Sequence, residues 1–226
     1  THIIVGHHGE YDFGSYKRGF MYCVKKKLLQ NIDELVFCND SCFGPIHLRG
    51  FQELFNKNRL KHKDFWGISG NNYGVIKNND EYKYVPNIFH IQSYFFVLKP
   101  SVFLSSWFQN FMNSITVQPN KNEIIIQYEQ RLSQLVIENN HTFDTHIPFE
   151  GEKNNVKDWQ DIIHKNGLLI KKSQYKDIML HPLKLKNYKW YLILKYSILK
   201  IGFFTTLKIL ICELKNRFLS GDSARD

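Results

Sequence analysis

A chain of 226 residues with 43% hydrophobic content can bury a full core, which excludes disorder as the main theme and predicts one compact domain with a C-terminal appendage. Its formal net charge of +9 attracts anions and leaves three partner classes: nucleic acid, anionic lipid headgroups and a phosphate-bearing small substrate. There is no arginine-rich arm, zinc-finger spacing or aromatic ribonucleoprotein signature, which sets nucleic acid aside.

Taken in chain order, His2 to Val5 is a short β-branched run closed by Gly6, and Phe13 to Gln30 has apolar residues at helical spacing, so strand, turn and helix are predicted. Leu35 to Cys38 is a second short apolar run ending in Asn39-Asp40-Ser41. Strand, helix, strand in that order predicts a mostly parallel sheet flanked by helices, with ligands at the carboxyl ends of the strands. A helix is expected over Ile46 to Asn58, a strand over Phe65 to Ile68, and a polar loop serving as a lid over Gly70 to Glu81. Phe89 to Leu98 reads as one strand stopped by Pro100, Val102 to Ile115 as a helix, and Ile124 to Glu138 as a further helix carrying Glu129 and Arg131 on its polar side. Asn139 to Asn155 reads as loop, Trp159 to Ile163 as one or two helical turns, and Leu168 to Lys172 closes the globular part.

The four cysteines, Cys23, Cys38, Cys42 and Cys212, lack paired spacing, so neither a disulfide framework nor a zinc site is expected and a reducing, cytosolic compartment is. No signal peptide and no uninterrupted apolar run of membrane-spanning length is seen. Aromatic residues make up 15% of the chain, which suits a Phe-rich core, ring stacking on sugars or a place at a membrane interface.

Three stretches carry chemistry. Asn39-Asp40-Ser41 sets an amide and a short carboxylate at a strand mouth, where Asp40 would bind magnesium or manganese, hard ions that bridge a nucleotide diphosphate and neutralise its growing charge. The same triplet is also ordinary turn chemistry. Upstream, Gly9 and Gly14 permit close backbone approach, and Asp12, Ser15 and Lys17 surround a helix start whose amides suit phosphate, with plain capping or solvation as the alternative. Downstream, Gln92, Ser93 and Tyr94 offer groups for sugar hydroxyls, His90 lies two residues from Gln92 on the same face if the segment is a strand, and Trp66 is either a stacking platform or a core residue.

Asp12-Phe13-Gly14-Ser15-Tyr16-Lys17, then Asn39-Asp40-Ser41-Cys42-Phe43-Gly44-Pro45, Asp64-Phe65-Trp66-Gly67 and Gln92-Ser93-Tyr94-Phe95 resemble, in order and spacing, the rhamnan synthesis F family of bacterial polysaccharide glycosyltransferases. Tyr128-Glu129 with Leu132, and Trp159-Gln160-Asp161-Ile162-Ile163 with Gly167 and Ile170-Lys171, extend the resemblance over residues 6 to 172. It implies a GT-A-like sheet and an enzyme that moves rhamnose or another hexose from a nucleotide-diphosphate donor to a growing capsule, O-antigen or rhamnan-type polysaccharide, by inversion. Such enzymes commonly carry two aspartates where this chain has Asn39-Asp40-Ser41, which leaves one carboxylate for the ion. The resemblance also places the first nucleotide-binding strand upstream of Thr1. Glu129 matches the acidic residue that opens a late helix and takes the acceptor proton. Asp64 is the second candidate base, set beside the Trp66 ring.

On this reading residues 1 to 150 form the catalytic core and 151 to 187 complete it. Residues 188 to 219 form a basic amphipathic helix for an anionic membrane surface, and 220 to 226 a tail. On a helical projection Lys189, Ser197, Lys200, Lys208 and Lys215 share one side of that segment, and packing on its own domain or in a dimer is the alternative. A lipid-linked glycan acceptor at the inner face of the plasma membrane would suit such a location. Two other classes stay open, a non-catalytic glycan- or nucleotide-binding module of the same fold and a peripheral membrane adaptor.

Overall fold

In the computed structural model, residues 3, 4, 6, 9–43, 48–147 and 169–171 are described. The chain divides into two compact units, one of Thr1–Asn39 with Phe55–Asn155 and the other of Asp40–Leu54 with Val156–Asp226. The expected turns over residues 159 to 163 and the amphipathic helix over 188 to 219 lie outside the described residues.

The first unit is built on a sheet of four strands in the order β1 (Leu35–Cys38), β6 (Phe95–Leu98), β3 (Phe65–Gly67) and β7 (Phe143–Thr145). Its central strand is the uninterrupted apolar run Phe95-Phe96-Val97-Leu98, buried throughout as a strand covered on both faces must be. Alternation sorts the aromatics. Phe37, Phe65 and Phe96 share one face, where the Phe37 and Phe96 rings stack at 4.9 Å and Phe65 meets Phe96 edge-on at 5.7 Å. Trp66 and Phe95 share the other, packed with Phe55. The first face is covered by α1 (Tyr11–Lys25) and α4 (Ser106–Ser114), through Tyr16 against Phe37 and Phe96 and through Phe108 against Phe20 and Phe37. The high aromatic content therefore goes largely into one hydrophobic core.

The fold is mixed α/β with helices flanking the sheet, but the sheet is not mostly parallel. β1 with β6 and β6 with β3 are antiparallel, and only β3 with β7 is parallel. The reason lies in Phe89 to Leu98, which is two strands. The chain breaks at Gln92–Tyr94 and enters β6 reversed relative to β1 and β3.

The expected polar lid is also a strand. β4 (Gly70–Asn78) and β5 (Glu81–Ile91) form a long antiparallel hairpin. Its two-residue turn has Asn79 at φ 48° and Asp80 at φ 66°, the left-handed pair that suits the right-handed twist of a hairpin and that Asn and Asp tolerate. The sequence hid this strand because its polar residues lie on a partly exposed ribbon. Ile3 and Ile4, expected in a first strand, are exposed and lie outside any strand.

Other helices follow the predicted periodicity with breaks. The stretch from Val102 to Ile115 divides into α3 (Pro100–Phe103) and α4, where Ser105 caps α4 by accepting from the Phe108 N–H. Ile124 to Glu138 is one helical run in three parts: the end of α5 (Lys121–Ile124), a π-helical segment Ile125–Gln130, and α6 (Arg131–Glu138). In the second unit β2 (Cys42–Phe43) pairs antiparallel with β8 (Ile170–Lys171), and α2 (Leu48–Arg59) crosses the boundary in sequence.

Glu34, just before β1, ties together separate parts of the first unit. Its Oε2 takes Arg59 Nη2 at 2.6 Å and its Oε1 takes Lys99 Nζ at 2.8 Å, with the Glu34 side chain only 7% exposed. Burial alone would raise the Glu34 pKa, but hydrogen bonds from Arg59 and Lys99 and their charges outweigh it and hold the carboxyl below its ordinary value. A depressed folded pKa gives stability that is complete above the ordinary value, about 4.3, and is lost as pH falls through the folded one. Glu34→Gln should therefore cost on the order of 1–2 kcal/mol at pH 7, since Arg59 is half exposed, and should flatten the acid limb of the stability curve below pH about 4.3, read by urea denaturation at a series of pH values.

Gly67 ends β3 beneath the Ile91 side chain, which a Cβ there would strike, with Phe95 O a further 3.3 Å neighbour. Gly67→Ala should lower stability by about 1–3 kcal/mol through overpacking, visible as a lower urea midpoint at unchanged slope.

Candidate functional site

The carboxyl end of β1 faces the start of α1, and a polar cluster forms between them. Asn39 continues the β1 ladder by donating its N–H to Tyr94 O, and its Nδ2 donates to Asp12 Oδ2 at 2.7 Å. Asp12 lies in the first turn of α1, where a carboxylate is favoured by the helix dipole. Tyr16, one turn on, donates its hydroxyl to Ser93 O at 2.7 Å, and the Ser93 N–H donates to Glu129 Oε1 at 2.6 Å. Residues 12, 16, 39, 93–94 and 129 are thus joined by hydrogen bonds although more than a hundred positions separate the first from the last. Of the residues expected from the sequence, the structure brings together Asp12, Asn39, Ser93, the Tyr94 backbone and Glu129.

The segment Ile125–Gln130 sets Glu129. Here the helix widens into the π form, a rare geometry that is frequent at functional sites. Tyr128 turns into the core against Phe13 at 5.5 Å, Glu129 reaches Ser93, and Gln130 clamps Val75, donating Nε2 to its carbonyl at 3.0 Å and accepting its N–H. Ser133 then accepts the Ile91 N–H at 3.0 Å. The Gln130 clamp and the Ser133 hydroxyl had no sequence signal beyond helical spacing, because polar residues on a helix read as a solvated face.

Other expected residues are placed elsewhere. Trp66 is 1% exposed and His90, Gln92 and Tyr94 are buried, so in this conformation none presents a side chain to a sugar at the surface. Ser69 Oγ donates to Gln92 Oε1 and lies 2.7 Å from the Tyr94 hydroxyl, while His90 Nδ1 is 3.3 Å from Ile88 O. Trp66 belongs to the interior through Phe55 and Phe95, and His90, Gln92 and Tyr94 do because the strand expected as one carries its turn among them. Lys17 does not point to a phosphate site here; its Nζ donates to Asn113 O and Ile115 O, closing the carboxyl end of α4. Gly14 is buried in α1, Ser15 is exposed on it, and a Cβ at Gly9 would touch Val117 Cγ1 at 3.2 Å. Asp40 and Ser41 fall in the second unit, directly after Asn39 in the chain.

Asp64 is a structural anchor. Its carboxylate accepts from Thr142 N and Oγ1, each at 2.8 Å, and from Ser101 Oγ at 2.7 Å, fastening the start of β7 and the first turn of α3. Burial would raise its pKa, but the Thr142 and Ser101 donors and the nearby His141 outweigh that and hold it below the usual carboxylate range. A depressed pKa and filled acceptor positions make a poor base near neutral pH. Among the described residues no three of His, Cys, Asp and Glu come together as a metal-binding group, and no helix is long and apolar enough to cross a membrane.

The structure thus defines a mixed α/β unit with a hydrogen-bonded polar cluster at the carboxyl end of β1. The chain belongs to the rhamnan synthesis protein F family, whose model matches residues 2–176, and so to a family of rhamnan polysaccharide synthesis. Comparison with curated proteins and with solved structures finds no match.

Replacing Gln130 tests the framework beneath the cluster. Gln130→Ala leaves a buried N–H and C=O of Val75 unpaired and should cost about 2–4 kcal/mol. Amide hydrogen exchange should show Val75 losing more protection than residues of β6.

Proposed function

We propose that this protein is a nucleotide-sugar-dependent glycosyltransferase that extends a cell-surface polysaccharide. The observation that carries the reading is the convergence of Asp12, Asn39, Ser93 and Glu129 at the carboxyl end of β1, drawn from separate segments of a chain that belongs to a polysaccharide-synthesis family.

In this reading Asp12 and Asn39 border the donor, a nucleotide diphosphate carrying rhamnose or another hexose. Asp40 supplies the protein carboxylate for a magnesium or manganese ion, an ion that typically takes one or two carboxylates with substrate phosphates and water as its remaining ligands. When bound, that ion supplies neutralisation of diphosphate charge. Glu129 removes the proton from the acceptor hydroxyl as that oxygen attacks the anomeric carbon; the bond from that carbon to the diphosphate oxygen breaks, the nucleoside diphosphate leaves, and inversion follows from displacement in one step. The Ser93 N–H holds one Glu129 oxygen and so orients the carboxylate. The acceptor is a glycan, carried on a lipid at the inner face of the plasma membrane, with residues 188 to 219 as the basic segment that meets the anionic surface.

The two functions of Glu129 separate by substitution. Glu129→Gln keeps a carbonyl oxygen for the Ser93 N–H but has no proton-accepting carboxylate, so kcat should fall about 10²–10⁴-fold with the melting temperature little changed. Glu129→Ala should show the same loss together with lower stability. The measurement is transfer from a panel of nucleotide sugars to a glycan acceptor, with Asp40→Ala run alongside. Full turnover by Glu129→Gln would remove the assignment of the base, and nucleotide-sugar binding without turnover by the parent would make the protein a binding module.

A further inference from the structure

A second feature of the first unit lies outside the cluster. An open cleft of about 660 Å³, within the range of small-molecule sites, runs beside α4, the Thr116–Gln118 stretch, the π-helical segment and α6. Its walls combine a half-buried Trp107, the amides of Asn110, Gln118 and Gln127, the hydroxyls of Ser114 and Thr116, and Arg131, with Phe111 and Leu135 as apolar floor.

The state of these groups distinguishes a binding surface from a merely polar one. Tyr128, at the back, is fully engaged: its hydroxyl donates to Thr116 O at 2.9 Å and accepts from Thr116 N at 2.8 Å and Gln118 Nε2 at 2.7 Å. That network fixes Gln118 and Thr116 in place. By contrast Asn110 and Gln127 are exposed and make no hydrogen bond among the described residues. Arg131 gives one nitrogen to Glu138 at 2.6 Å, which offsets its charge and leaves further guanidinium donors. Trp107 is held by His141 at 5.7 Å and by the edge of Phe108 at 5.8 Å.

Fixed aromatic surface, uncommitted amides with both donor and acceptor groups, and no carboxylate among the described residues of the wall are the chemistry of a neutral polyhydroxylated ring. The amides match hydroxyls that both donate and accept, and the apolar floor matches a ring's C–H face or a deoxy methyl group. An anion is less well served, because its charge would meet one arginine already paired with Glu138.

We propose that the cleft walled by Trp107, Asn110, Gln127 and Arg131 binds a neutral saccharide, a segment of the glycan that the protein extends. This rests on the proposed transferase reading, and it makes the cleft a subsite that holds the acceptor chain apart from the reacting hydroxyl.

The test separates binding from chemistry. The full chain, ¹⁵N-labelled, is titrated with methyl α-L-rhamnoside and with a rhamnose trisaccharide, and the indole N–H resonances are followed, Trp107 being assigned through Trp107→Phe. The cleft should give a saturable shift of the Trp107 resonance, tighter for the trisaccharide. Asn110→Ala combined with Gln127→Ala should weaken binding at least tenfold without lowering the melting temperature, since neither side chain is bonded. Glu129→Gln should bind both saccharides like the parent. In transfer assays the double variant should raise KM for the acceptor while kcat holds, the mark of lost uniform binding.

Unchanged affinity in the double variant, the absence of any Trp107 shift, or displacement of the sugar by millimolar inorganic phosphate would overturn the proposal, the last by marking an anion site at Arg131. Saccharide binding with the expected variant pattern but without transfer from any nucleotide sugar would sustain the cleft and reject the transferase.

Discussion

Buried peptide groups must find hydrogen-bond partners, and in this protein one helical run supplies them with side chains. Gln130 bonds both polar groups of Val75, Ser133 accepts the Ile91 N–H, and Glu129 accepts the Ser93 N–H. Each contact replaces what another strand's backbone would provide, at positions where a lost partner leaves a desolvated peptide. The hairpin thereby acquires a fixed position against the run from Lys121 to Glu138. The Gln92–Tyr94 turn is fixed with it, and so is the reversed strand β6 that follows. Close packing demands the same arrangement: Ile91 fills the space above Gly67, and Ile88 fills that above Gly74.

The cluster at the end of β1 is a product of that framework. Ser93 receives Tyr16 on its carbonyl and Glu129 on its amide, so its single peptide joins α1 to the π segment. Asn39 in turn joins β1 to α1 through Asp12. Groups so restrained lose little freedom when a ligand arrives, which is the condition for positioning a reacting atom. The same restraint explains why Asp64 behaves differently. Its three donors are all local anchors of β7 and α3, so its carboxylate is consumed in holding the fold.

Periodicity revealed the elements whose burial follows one face. The helix at Phe13, the strand at Leu35, the strand at Phe65 and the helical run at Ile124 all follow from apolar spacing. The hairpin escaped because Asn71, Asn72, Asn78, Asn79 and Asp80 read as loop chemistry, and a partly exposed ribbon needs no apolar stripe. β7 escaped because three residues are too few to show alternation, yet they complete the sheet by pairing with β3. Strand direction was unreadable for a further reason. The break at Gln92–Tyr94 lies in the middle of a continuous β-like run, and the side chains of Gln92 and Tyr94 are buried and bonded to Ser69 rather than displayed in a loop. Family resemblance picked out Asp12, Asn39, Ser93 and Glu129 as interesting, but their mutual bonds depend on long-range closure that no local pattern encodes.

Residues 127 to 131 concentrate the consequences. Successive positions of a helix face different directions, and in this stretch they serve different surroundings. Gln127 lies exposed on the cleft, Tyr128 spans from the core to the cleft wall, Glu129 enters the cluster, Gln130 is buried on Val75, and Arg131 returns to the cleft. The cluster and the cleft thus share one segment, held from below by Gln130. If a glycan occupies the cleft and its terminal sugar reaches Glu129, binding and proton removal are coupled through backbone rather than through a loop. Loosening the clamp would then disturb both together, whereas loss of Asn110 or Gln127 would disturb only the first.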